Sequence, residues 1–249
     1  MKKLAAAVIL FTRLPLWRWV NPSQSDYSDA VVFWPLTGWL TGGVTALALV
    51  GGATILPMQC AVILALVVRL LLTGALHEDG LADFCDGFGC GGDKARILGI
   101  MKDSHIGTYG VIGLIIYYLL TVSLVSSLPP VCAASAVFAT DPFSKLCAAQ
   151  ITNILPYARP EGAKNRISYA RPGWVKLVFQ ILCGCLPLFF LLSLSPWFAL
   201  ATIMPVMTAV LLMLMMSKRI GGYTGDCCGA TFLLCEVSML LGVSIMANY

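Results

Sequence analysis

Seven apolar stretches dominate this chain, at about residues 31 to 57, 59 to 76, 107 to 128, 131 to 154, 174 to 194, 196 to 216 and 230 to 247. Each is close to the roughly 20 residues that an α-helix needs to cross a bilayer. Lipid offers no partner for backbone amides and carbonyls, so such stretches must close their hydrogen bonds internally, as helices do. The expected fold is all-α: a polytopic integral membrane protein of about seven transmembrane helices, in a single domain over 1–249. Composition agrees, with 59% hydrophobic and 11% charged residues where a soluble domain has roughly 25% charged. The first residues, MKKLAAAVILF, have the basic start and short apolar core of a signal peptide. Arg13, Trp17, Arg18 and Trp19 then stand where a small-residue cleavage site belongs, so an N-terminal amphipathic interfacial helix is expected instead.

Charge sets the orientation, because short cytoplasmic loops carry an excess of Lys and Arg. The basic residues fall before the first span (Lys2, Lys3, Arg13, Arg18), between spans two and three (Lys94, Arg96, Lys102), between four and five (Arg159, Lys164, Arg166, Arg171, Lys176) and between six and seven (Lys218, Arg219). Of the 16 Lys and Arg only Arg69 and Lys145 lie deep inside spans, Lys176 standing at the edge of the fifth, and the opposite loops carry none. The N-terminus is therefore expected in the cytoplasm. The net charge of +4 follows from this topology and calls for no nucleic acid.

Cys60, Cys132, Cys147, Cys183, Cys185 and Cys235 sit in the apolar spans, where cysteine acts as a small hydrophobe. Cys85, Cys90, Cys227 and Cys228 lack the spacing of a zinc finger or ribbon.

The acids are concentrated. HEDGLADFCDGFG, residues 77 to 89, packs Glu78, Asp79, Asp83 and Asp86 directly behind the second span. If that helix runs on past Gly74, then Asp79, Asp83 and Asp86 stand at i, i+4 and i+7 on one face. Like charges so placed repel and invite a cation, and an all-oxygen set suits magnesium, which binds through one or two carboxylates plus substrate phosphates. In the same loop, ILGIMKDSHIGTYG brings Lys102, Asp103 and His105 together with glycines that open backbone amides to a phosphate. A third loop, SKRIGGYTGDCCGA, leaves amides uncovered at Gly222 and Gly225 and sets Asp226 where the last helix begins, the place where helix N-termini hold anions. Deeper still, Asp141 and Lys145 lie four apart in span four and Glu236 lies in span seven; ionisable groups at such depth are costly and point to function or to an internal ion pair.

HEDGLADFCDG followed by ILGIMKDSHIGTYG resembles the signature of the cobalamin synthase family, the adenosylcobinamide-GDP ribazoletransferases. FTRLP at 11 to 15, YARPEG at 157 to 162 and GGYTGDCCGA at 221 to 230 extend the resemblance along the chain in the same order. It implies a magnesium-dependent enzyme of the bacterial cytoplasmic (inner) membrane, with its active site on the cytoplasmic side. Such an enzyme moves adenosylcobinamide phosphate from adenosylcobinamide-GDP to the ribose of α-ribazole or its 5′-phosphate and releases GMP. The partners implied are these two small molecules and the lipid bilayer, with a homo-oligomer compatible. Phosphoryl transfer needs a metal, positioning and neutralisation of charge more than covalent help. Asp79, Asp83 and Asp86 are then the expected metal ligands, Glu78 either a fourth ligand or the general base, and Asp103 and Asp226 further acids of the site. Lys102 and Arg159 are expected as phosphate clamps, with Arg13 a third and with His105, Gly222 and Gly225 against substrate. Two other classes fit less well. A CDP-alcohol phosphotransferase would have Arg where Asp83 stands, and an ion-coupled transporter would own Asp141, Lys145 and Glu236 but has no use for four carboxylates in one loop.

Overall fold

The computed structural model describes residues 1–159 and 169–248. Twelve helices follow one another among the described residues: α1 Lys2–Phe11, α2 Gln24–Ser28, α3 Trp34–Ala53, α4 Met58–Thr73, α5 Leu76–Cys90, α6 Lys94–Ile100, α7 Thr108–Ser126, α8 Pro130–Ile154, α9 Trp174–Cys185, α10 Leu188–Leu192, α11 Ile203–Ile220 and α12 Gly225–Ala247. Among them, five stretches are long and apolar enough to cross a bilayer: Ala30–Ala53, Thr108–Ser126, Trp174–Leu192, Pro196–Ile220 and Gly225–Ala247. A sixth qualifies only if α4 and α5 are taken together. Their outward faces are lined by apolar side chains such as Leu119, Leu211, Leu214 and Phe189, as lipid-facing surfaces require. At ten residues α1 is too short to span; it buries Ala6, Ala7 and Phe11 and leaves Lys2 and Lys3 outside.

The fourth apolar stretch of the sequence, α8, is as long as a span but too polar to pass as one on composition, and its position explains why. It is the inner helix, touching α3, α7, α9, α10, α11 and α12, so Thr140, Asp141, Ser144 and Lys145 are buried in protein rather than set against lipid. Helix α3 presses on it through Gly38 and Gly42, four residues apart. A Cβ at Gly38 would come within 2.7 Å of Pro142 Cα and one at Gly42 within 2.9 Å of Asp141 Cβ. Small residues at this spacing let two backbones meet in a membrane, where packing rather than water drives association. The approach carries Thr41 to Asp141 (2.9 Å) and to Lys145 (2.5 Å). The Asp141–Lys145 couple is thus an internal ion pair.

One expectation is corrected. The second span does not run on past Gly74: α4 stops there and α5 leaves at 93°. Gly74 takes φ 69° and Ala75 φ 58°, left-handed values that end a helix and that glycine adopts without strain. Gly74 also has no room for a side chain, since a Cβ would lie 2.0 Å from Arg13 Nε. Arg13 N donates to Leu72 O at 2.7 Å, satisfying one of the carbonyls that a helix end leaves open. The carboxylates therefore ride on a separate helix that leaves the span's axis.

Candidate active site

Helix α5 keeps the spacing read from the sequence, with Asp79 and Asp83 one turn apart, and α12 lies directly across it. The helices touch backbone to backbone: a Cβ on Gly80 would be 3.0 Å from Asp226 O, and one on Gly229 would be 3.3 Å from His77 Cα. This contact sets Asp226, in the first turn of α12, beside the acids of α5. Thr224 caps α12 by accepting from Cys227 N (3.4 Å) and donates to Asp226 Oδ2 (3.1 Å). A carboxylate in a first turn also complements the helix dipole.

The acids crowd each other. Asp83, half-buried, has its carboxyl pushed up to about 7 by burial and then by the charges of Asp226, Asp79 and Asp86, against the pull of Arg159. Among the described residues Arg159 is the cation within reach, with Nη2 3.3 Å from Asp226 Oδ2 and 3.4 Å from Met101 O. Its Nε is buried without a partner. The segment carrying it is strapped to the start of α12 by Tyr223 N donating to Pro156 O (2.9 Å) and Ala158 N to Tyr223 O (2.8 Å). Gly222 makes the strap possible, because a Cβ there would lie 2.2 Å from Pro156 O. Its role in this structure is close packing rather than an open cradle. Pro160, Glu161 and Gly162, the rest of the YARPEG motif, lie outside the described residues.

The other expected residues are distributed differently. Asp86 is buried and turned to α7: its carboxylate accepts from Gly107 N (2.7 Å) and Gly110 N (2.9 Å), answering amides that a helix start leaves open. Glu78 is buried too, with one oxygen 3.5 Å from Arg69 Nη2 and the other unpartnered. Asp103 and His105 pair with each other at 2.7 Å in solvent, beside exposed Lys102. Among the described residues no hydrogen bond or ion pair joins these three to the α5 acids. Arg13 packs at the α4–α5 corner, and Gly225 lies exposed at the start of α12 with open space around it.

Sequence reasoning missed two features. The first is a buried network in which Arg69 binds Glu236 (2.5 Å) and Tyr117, and Tyr117 donates to Glu236 (2.7 Å); Arg69 and Glu236 stood out as charges inside spans, but their pairing did not. The second is a cavity of about 160 Å³ between α1, α3, α5 and α12, lined by Phe11, Trp34 and His77 together with Asp79 and Asp226.

Whether these residues suit a metal is a matter of donor chemistry. Among the described residues, no three His, Cys, Asp or Glu side chains converge to hold an ion by themselves. All ten cysteines are free. What converges is hard oxygen, acids crowded closely enough to raise the Asp83 carboxyl, a repulsion that a cation would relieve. That suits magnesium completed by phosphate oxygens and water, and does not suit a closed protein cage.

Fold and site together define a helical membrane protein with an acidic centre where a helix break meets the start of another helix. The chain belongs to the cobalamin-5-phosphate synthase family, whose sequence model matches residues 3–244. Similar proteins named adenosylcobinamide-GDP ribazoletransferase include one from Shewanella sp. (strain W3-18-1), 36% identical over 244 residues, or 96% of this chain and 92% of that one. One from Azorhizobium caulinodans is 41% identical over 222 residues, covering 86% and 83%. One from Leptospira interrogans is 33% identical over 259 residues, covering 99% and 96%. No solved structure matches the chain.

Proposed function

We propose that this protein is an adenosylcobinamide-GDP ribazoletransferase that joins adenosylcobinamide-GDP to α-ribazole or its 5′-phosphate. The observation that carries the reading is the meeting of Asp79, Asp83 and Asp226 with Arg159 across the α5–α12 contact, in a chain that matches the family almost from end to end. A ribose hydroxyl of the acceptor attacks the phosphorus that bears the cobinamide. A new P–O bond forms as the P–O bond to GMP breaks, GMP departs with the electron pair, and the hydroxyl proton passes through the carboxylates to solvent. Arg159, whose side chain is only partly buried beside Asp226, grips a phosphate oxygen and offsets the charge that builds on the leaving group. One or two of Asp79, Asp83 and Asp226, with phosphate oxygens and water, would hold magnesium, which when bound neutralises phosphate oxygens and orients them. Asp86 anchors α7 to α5 in this reading rather than serving as the third ligand. Glu78 is held by Arg69. Lys102, Asp103 and His105 sit on the exposed loop where an incoming polyanion first meets the protein.

We place the site on the cytoplasmic side of the bacterial inner membrane, because the loops around it carry nearly all the Lys and Arg. In this reading α8 is the seventh crossing, shielded from lipid by its neighbours, and a homo-oligomer would pack through the lipid-facing helices. The test is incubation of the purified protein in liposomes with adenosylcobinamide-GDP and α-ribazole, with and without magnesium. GMP and a cobalamin product should appear in equal amounts and only with metal. GMP without product, or neither, would overturn the reading.

A further inference from the structure

The cavity beside the carboxylates has features that phosphoryl transfer does not use. Its volume, about 160 Å³, is roughly ten times what one water needs, and its lining is mainly apolar. Phe11, Trp34 and His77 stand in it with their rings parallel to within 14° and their centroids 5.0 to 6.3 Å apart. Among the described residues, two of these rings carry buried nitrogens without a partner, Trp34 Nε1 and His77 Nε2. Buried polar atoms are nearly always satisfied, so two such orphans on one cavity need an explanation. Near-parallel rings along a mainly apolar wall are what a flat heteroaromatic ligand would fit against. Asp79 and Asp226 line the same cavity, so a base seated there holds its own ribose at the reacting acids.

We propose that this cavity is the subsite for the planar base of the acceptor nucleoside, the benzimidazole of α-ribazole. The inference rests on the function proposed above and adds to it the place where the acceptor binds. Guanine is the other flat base in the reaction, but its several edge donors and acceptors need more polar partners than remain once Asp79 and Asp226 serve the phosphates. The benzimidazole has an apolar edge and suits a mainly apolar lining.

Gly225 provides the test. It lines the cavity, and a Cβ there would meet no heavy atom within 4 Å, so Gly225→Leu can start a side chain at the cavity wall without displacing backbone. In purified full-length protein, binding of α-ribazole by equilibrium dialysis should weaken at least about tenfold. The KM for α-ribazole should rise in parallel, while that for adenosylcobinamide-GDP stays within about twofold. Trp34→Phe keeps an aromatic ring but shortens the stacked wall of the cavity, and should weaken α-ribazole binding several-fold in protein that stays folded, with a somewhat lower melting temperature because a buried ring is truncated. Unaltered α-ribazole binding in both variants would overturn the proposal, as would a rise confined to the KM for adenosylcobinamide-GDP, which would give the cavity to guanine. The two levels separate cleanly. Wild-type protein that binds α-ribazole but releases no GMP refutes the transferase reading and leaves the cavity assignment standing; GMP release with Gly225→Leu still binding α-ribazole normally does the reverse.

Discussion

Replacing Arg69 by Met should unfold this protein at a much lower temperature, because the guanidinium is the cation shared by two buried acids. Arg69, Tyr117, Glu236 and Glu78 are each 5% exposed or less. Arg69 lies 2.5 Å from Glu236 and 3.5 Å from Glu78, and Tyr117 bridges it to the second oxygen of Glu236. Met fills a similar volume and leaves both carboxylates without a counter-ion. Removing one partner of a buried pair costs about 3–5 kcal/mol. At about 2–4 °C per kcal/mol for a chain of this size, the melting midpoint should fall by roughly 6–20 °C. The assay is thermal unfolding in detergent, followed by tryptophan fluorescence or by size-exclusion survival after heating. The double variant Arg69→Met with Glu236→Met removes one of the two charges that the single variant strands, the one closest to the guanidinium, and should recover part of the loss, because apolar replacement of a buried pair is close to neutral. A drop of less than about 2 °C for Arg69→Met, or a double variant no better than the single, would refute the argument that these charges depend on one another.

Three further outcomes follow from the same contacts. Asp86→Ala strands the Gly107 and Gly110 amides and should cost about 1–3 kcal/mol, whereas Asp86→Asn keeps one acceptor and should cost less; equal melting points for both and wild type would remove its anchoring role. Asp29 is pushed up by burial, but hydrogen bonds from Lys176 (2.7 Å) and Lys3 (2.5 Å) outweigh this and hold it below its ordinary 3.8. Its contribution is thus present above that pH and lost as pH falls through the lowered value, so the melting gap between wild type and Asp29→Asn should be open at neutral pH and close as pH falls below 3.8. Arg159→Met should raise the KM for adenosylcobinamide-GDP about tenfold or more, with Lys102→Met, on its exposed loop, changing it less; the reverse order would make Lys102 the clamp.

Five of the seven expected spans were legible because lipid imposes one pattern, and five observed stretches lie close to the apolar runs that gave it. Where hydropathy was ambiguous the reason is physical. Helix α8 carries Asp141 and Lys145 because it faces other helices, and nothing in a linear sequence says which span is innermost. The break at Gly74 was invisible for a related reason: the residue that forbids a side chain there is Arg13, far away in the chain. The one-face spacing of Asp79, Asp83 and Asp86 survived the break, since α5 is a helix in its own right. Their equivalence did not survive, because the amides that engage Asp86 come from α7. Likewise, Gly222 and Gly225 look alike in GGYTG, yet one is pressed against Pro156 and the other stands in open space. Spacing finds the acids; only packing shows that Asp86 is engaged by backbone amides.

The central claim is that Asp79, Asp83 and Asp226 form one reaction centre although they come from helices more than 130 residues apart in the chain. Its most direct test is the turnover rate of GMP release, at saturating substrates and magnesium, for Asn substitutions at each of the three and at Asp93. Asn preserves shape and removes the charge that would hold a metal, so each of the three should lose about a hundredfold or more. Asp93 caps α6 by accepting from Arg96 N at 2.9 Å, a task Asn performs equally well, and this variant should stay within about twofold of wild type. Loss at Asp79 and Asp83 with Asp226→Asn as active as wild type, or mild and equal effects at all four positions, would contradict the account.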